Sequence, residues 1–188
     1  IKKPSNKAVA YKDYHHRKDT IRFHIHMDIW AKKNGFDIPF FDTYFEKSAA
    51  AHGALMAKTR INLKSGNYLI PDAAFKVIAE MSDKFCLFEL HRGNNTGRLI
   101  EQLHHHAQAM TTRATHGKYG LPINKGYYVI LLFEFEATKE AFLNRMKREG
   151  EAFQEIGRYF LVNDLGGIQK GDFGDGWRTV FGEQAVFF

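Results

Sequence analysis

Leu69-Ile70-Pro71-Asp72, continuing as Ala73-Ala74-Phe75-Lys76-Val77-Ile78, and then Lys84-Phe85-Cys86-Leu87-Phe88-Glu89-Leu90-His91, is the stretch that decides the fold. Two apolar runs rich in strand formers, separated by one turn, read as neighbouring strands, the first of them carrying a bend at Pro71-Asp72. Strands at hairpin distance lie about 5 Å apart. Asp72 at the bend and Glu89 on the next strand can therefore converge on one hard cation. Oxygen ligands of that kind suit Mg²⁺ or Mn²⁺, and a metal so held assists attack on a phosphodiester. The pattern points to a nuclease before any other class. Each acid also has a plainer reading: Asp72 as the turn residue after a proline, and Glu89 as the partner of Arg92 in an ion pair.

Working upstream, residues 55–63 predict another strand, ending at the turn Lys64-Ser65-Gly66-Asn67, and Ile38 to Glu46 predicts the first one. His15 to Lys33, stopped by Asn34-Gly35, predicts a helix with Ile21, Ile25, Ile29 and Trp30 as its buried stripe. Residues 1–14 read as a polar arm or linker remnant. Working downstream, Thr96 is positioned to cap a helix running through Leu99, Leu103 and His106, and Gly117 to Gly126 is a loop. Tyr127 to Phe133 is near-continuously apolar, the pattern of a central strand buried on both faces. A helix over 138–153 and a short strand over 159–162 complete the core at residues 15–165. The tail, 166–188, lacks periodicity and reads as a loop packed down by Trp177 and Phe181.

Length and charge bound the rest. The chain has 188 residues, enough for one domain with a substantial core. Its 27 Lys+Arg against 21 Asp+Glu favour polyanionic partners. A single cysteine, Cys86, forms no intramolecular disulfide and fits a reducing cytoplasm. No stretch approaches the roughly 20 apolar residues of a membrane span. The first residue is Ile1 rather than Met, so a longer parent protein is expected.

An α-β-β-β-α-β order, with Pro-Asp on one strand and Glu-x-basic on the next, resembles the PD-(D/E)xK, restriction-endonuclease-like nuclease superfamily. That resemblance implies an α/β fold with a central mixed sheet flanked by helices. More narrowly, Ile70-Pro71-Asp72, Phe88-Glu89-Leu90-His91, Gln102 with His106, and the upstream His16-Arg17-Lys18-Asp19 are similar, in the same order, to the replication-relaxation and MOBC-type relaxases. The resemblance implies nicking of plasmid DNA at an origin of transfer or replication, alongside accessory mobilisation proteins. It implies Asp72, Glu89, Leu90 and His91 around Mn²⁺ or Mg²⁺, with His16, Asp19 and Gln102 completing the catalytic set.

The superfamily's usual lysine is replaced here by His91, which can act as ligand, base or charge stabiliser and shifts the expected preference towards Mn²⁺. The same substitution leaves open a catalytically silent DNA-binding accessory module. His16 and Asp19, at i and i+3, share a helix face; they are either active-site groups or a solvated helix start. His24 and His26 cannot share one. Three consecutive histidines, His104 to His106, point in different directions, leaving His106 the one aligned with Gln102. Lys58, Arg60, Lys64, Arg92, Arg98 and Arg113 are candidate phosphate contacts. Tyr11, Tyr14 and Tyr44 are candidate stacking platforms or nucleophiles, with nothing in the spacing to choose among them.

Overall fold

The computed structural model describes residues 11–49, 55–64 and 66–188, so most of the N-terminal arm lies outside the described residues. Helix α1 spans Tyr11–Lys33, taking in the last residues assigned to that arm. Asp13 in its first turn and Lys32 and Lys33 in its last complement the helix dipole. It ends where expected, at Gly35, whose φ of 71° is natural to glycine.

The buried face of α1 differs from the expected stripe. Ile21, Ile25 and Ile29 are 46%, 52% and 62% exposed, and of the four residues only Trp30 is buried. The face against the sheet is instead Asp19, Phe23, Met27, Trp30 and Ala31. A helix can carry two apolar stripes, and the one with the larger aromatic payload buries more area. Phe23 stacks on Phe88 with ring centroids 4.2 Å apart and also meets Phe75 and Phe173. Ile25→Lys is accordingly expected to leave stability within about 0.5 kcal/mol of the parent, whereas Met27→Ala costs about 2–5 kcal/mol. Urea denaturation separates the two, and a large loss in Ile25→Lys would contradict this packing.

Among the described residues ten strands follow: β1 (Phe41–Thr43), β2 (Lys47–Ala49), β3 (Leu55–Ala57), β4 (Ile61–Asn62), β5 (Tyr68–Leu69), β6 (Ala73–Ala79), β7 (Ser82–His91), β8 (Tyr128–Phe133), β9 (Phe160–Asp164) and β10 (Arg178–Thr179). Six form one mixed sheet in the order β1-β6-β7-β8-β9-β10. The β1/β6, β6/β7 and β9/β10 pairs are antiparallel, while β7, β8 and β9 run parallel. Helices α2 (Thr96–Thr111) and α4 (Glu136–Glu149) make the parallel crossovers, with the short α3 (Ala114–Tyr119) after α2. The chain is thus mixed α/β, an open sheet flanked by helices.

Alternation along β7 divides the interior into two cores. Phe85 and Leu87 face α2 and α4, joining Leu99, Leu103, Leu131, Phe133 and Phe142. Cys86, Phe88 and Leu90 face α1, joining Phe23, Met27, Ile130 and Leu132. As its apolar run implied, β8 sits between β7 and β9, buried from Val129 onward.

Several boundaries depart from expectation. Residues 55–63 split into β3 and β4, because the intervening Thr59 turns inward, fully buried, and donates its hydroxyl to the Pro71 carbonyl at 2.6 Å. The strand predicted over 68–78 breaks at Pro71, which has no N–H to give a ladder. Asn95, not Thr96, caps α2, its Oδ1 accepting from the Arg98 amide at 3.2 Å. The predicted loop at 117–126 begins as the end of α3. The tail is largely ordered structure: Asp164 caps α5 (Leu165–Lys170) by accepting from the Gly167 amide, and β10 closes the sheet against β9. Trp177, 1% exposed, joins the α1-side core as expected, while Phe181 packs on the other side against Gly157. Among the described residues no helix is long and apolar enough to cross a membrane.

Candidate functional site

The β6/β7 register pairs Ala73 with Phe88, which brings Asp72, just before β6, near Glu89. The two acids therefore lie at one end of the sheet, beside the C-terminal ends of the parallel strands, where open α/β sheets bind ligands. Asp72 Oδ2 accepts from the Leu90 amide at 2.8 Å and meets His16 Nε2 at 2.9 Å. Burial works against a charged His16, but the close Asp72 carboxylate outweighs it and holds the imidazole pKa above its ordinary value.

Glu89 extends the row of Phe85 and Leu87 onto the α2 face and is 2% exposed. Its Oε2 accepts from Gln102 Nε2 at 2.5 Å, and its Oε1 lies 2.6 Å from His106 Nε2. Burial, then the nearby charge of Asp72, drives the Glu89 carboxyl well above the usual carboxylate range. Burial also pushes His106 down to about 3. Both directions favour a neutral pair with one proton between the two groups. His106→Ala strips Glu89 Oε1 of that partner and is expected to cost about 1–3 kcal/mol. Chemical denaturation checks this; an unchanged midpoint would place Glu89 in solvent instead.

His91, next in the same row, rests edge-on against Phe133 with centroids 5.3 Å apart. Burial and then the charge of Arg98 lower its pKa, and its buried Nε2 has no hydrogen-bond partner among the described residues. A cavity of about 250 Å³ opens here, lined by His16, Asp72, His91, Arg92, Arg98 and Gln102, with Leu90 and Asn95 at its wall. Larger recesses of about 420 and 460 Å³ lie beside Trp177 and beside Gly150, and neither is lined by a histidine.

In composition the donors fit a hard divalent cation. The nearby charge of Asp72 adds to the cost of ionising Glu89, and a cation between the two would relieve it. Leu90 has an apolar, buried side chain, so only its backbone carbonyl can join them. His91 Nε2 is a nitrogen donor without other employment. Among the described residues no group of three or more His, Cys, Asp or Glu already stands as a metal cage. Glu89, turned towards α2, is the acid held away.

The structure separates the two members of the His16…Asp19 pair. His16 reaches Asp72, while Asp19, 3% exposed, faces Arg22, Lys18 and Arg92 at 3.4, 3.7 and 3.6 Å. The Glu89–Arg92 ion pair considered above does not form, since Arg92 NH2 donates to Glu134 at 2.7 Å and Glu89 is taken by α2. Among the basic candidates, Arg92 and Arg98 line the cavity. Lys58 is paired with Asp42 at 2.7 Å, Arg60 lies over the Tyr68 ring, and Arg113, at the α2–α3 junction, lines a separate recess with His116 and Lys125. Lys64 is exposed.

Tyr44 is the tyrosine that geometry brings forward. Its amide donates to the Asp72 carbonyl at 3.0 Å, and its ring meets His16 edge-on at 5.7 Å. Burial raises its pKa, which disfavours a phenolate. Tyr14 is exposed, and the side chain of Tyr11 lies outside the described residues. Glu134 was invisible to motif reading; its only signal is its place directly after the buried strand β8. His24 stacks on Phe41 at 3.9 Å, a structural contact.

A scan against protein-family models, a search of curated proteins and a search of solved structures each return no match.

Proposed function

We propose that this chain is a metal-dependent endonuclease that nicks one strand of DNA, a relaxase of the MOBC or replication-relaxation type built on a restriction-endonuclease-like core. The observation that carries the reading is Asp72, just before β6 and close enough to Glu89 to oppose its ionisation, lining a cavity flanked by Arg92 and Arg98. The antiparallel β1-β6-β7 unit followed by a parallel β8, with helices on both faces, is compatible with such a core. The substrate is plasmid DNA at an origin of transfer or replication, with accessory mobilisation proteins as partners and a cytoplasmic setting.

Asp72, Glu89 and the Leu90 carbonyl would hold Mn²⁺ or Mg²⁺, which would supply Lewis-acid stabilisation of charge on the scissile phosphate. His16, held on Asp72, faces the same cavity and can pass a proton to or from the attacking or leaving oxygen. Attack by water, or by a tyrosine hydroxyl, forms the new P–O bond as the bond to the leaving deoxyribose oxygen breaks, and that oxygen takes up a proton. His91 stands where it can serve as nitrogen ligand.

One observation favours a second reading. Glu89 is withdrawn beneath Gln102 and His106 and favours its neutral form, the arrangement of a DNA-binding accessory module that no longer cuts.

Incubation of supercoiled plasmid bearing the cognate origin with Mn²⁺, Mg²⁺ or EDTA tests the proposal. Open circles are expected with Mn²⁺, fewer with Mg²⁺ and none in EDTA, with loss in Glu89→Ala and His91→Ala. Binding without nicking under any metal would support the accessory module.

A further inference from the structure

We propose that Arg92 is the residue that grips the phosphate at this site, and that Asp19 and Glu134 are positioning residues that hold its guanidinium in place. The inference deepens the nuclease reading and rests on it for the identity of the ligand, a DNA phosphodiester.

The position after Glu-x offers an imidazole set edge-on against Phe133, in the cavity that Arg98 also lines. One residue further along, Arg92 brings a charge that does not titrate. Its side chain is 25% exposed, reaches the cavity wall, and is held from two directions. Glu134, just beyond β8, accepts from NH2 at 2.7 Å, and Asp19, from α1, lies 3.6 Å from Nε. Two acids from separate parts of the chain thus fix one guanidinium at the end of the sheet where Asp72 and Glu89 come close.

Fixing matters because a planar guanidinium binds phosphate by a fork of parallel N–H donors, and a fork already oriented loses less freedom on binding. The charge balance is also suitable. Arg22 and Lys18 share Asp19 with Arg92, and Arg98 stands across the cavity, so the two acids do not cancel the positive field. Asp19 is 3% exposed and surrounded by cations, which removes it from the ligand sphere and gives the i, i+3 spacing of His16 and Asp19 on α1 two tasks: one side chain holds Asp72, the other holds Arg92.

The test is fluorescence anisotropy of a labelled single-stranded oligonucleotide of the origin, in EDTA over a salt series, run beside plasmid nicking with Mn²⁺. Arg92→Ala is expected to weaken binding about tenfold and to lower the salt slope by about one, the signature of one lost phosphate contact. Arg92→Lys keeps the slope but recovers only part of the affinity, and it guards against a misfolded alanine variant. Asp19→Asn and Glu134→Gln keep the slope and reduce the nicking rate at saturating DNA, with thermal midpoints near the parent's. Wild-type affinity and slope in Arg92→Ala overturn the assignment, whatever the nicking shows. If the wild type nicks nothing but Arg92→Ala loses affinity and slope, the nuclease reading fails while the phosphate grip stands. Failure of the wild type to bind DNA overturns both.

Discussion

Asp72→Asn is expected to reduce metal-dependent nicking by at least about 10²-fold while leaving the protein folded. Asparagine is nearly isosteric and keeps a carbonyl oxygen that can accept from the Leu90 amide, the bond that now ties Asp72 to β7 at 2.8 Å. What it loses is charge. His16 forfeits the partner that holds its pKa up, Glu89 is relieved of a neighbouring charge, and the cavity loses the negative charge of a proposed cation ligand. Single-turnover conversion of supercoiled plasmid, with circular dichroism to confirm folding, measures the effect. An unchanged rate in a folded variant would remove Asp72 from the chemistry.

Trp177→Ala is expected to cost about 3–5 kcal/mol of stability. The indole is 1% exposed, its Nε1 donates to the Phe173 carbonyl at 2.7 Å, and its ring packs on Phe187 and Phe173 with centroids 5.1 and 5.9 Å away. Phe173 in turn meets Phe23 and Trp30 on α1, so the tail is wedged between the sheet and that helix. Trp177→Phe should recover most of the loss, lacking only the N–H and part of the volume. Urea denaturation of both variants decides the matter; equal stability of Trp177→Ala and parent would show that the tail packs loosely.

Those two residues mark what was legible in the sequence and what was not. The β6/β7 hairpin that brings Asp72 near Glu89 was legible because two apolar runs separated by one turn have few registers. The central position of β8 followed from its unbroken apolar run, as a strand buried on both faces needs no polar row. By contrast, α1 offered two apolar stripes, and only the presence of Phe88 and Phe75 on the sheet chooses Phe23 over Ile21 and Ile25. The tail's glycines hid its helix and its strand, which depend on the Asp164 cap and on pairing with β9. Arg92 was visible only as one cation among six. Its setting between Asp19 and Glu134 joins residues distant along the chain, a relation that no local spacing encodes.

The central claim is that Asp72 and Glu89 share one divalent cation. Isothermal titration of Mn²⁺ into the parent, Asp72→Asn and Glu89→Gln tests it without reliance on nicking. One bound Mn²⁺ per chain is expected in the parent, with heat lost or affinity sharply reduced in both variants. Equal stoichiometry and affinity in all three proteins would contradict the account.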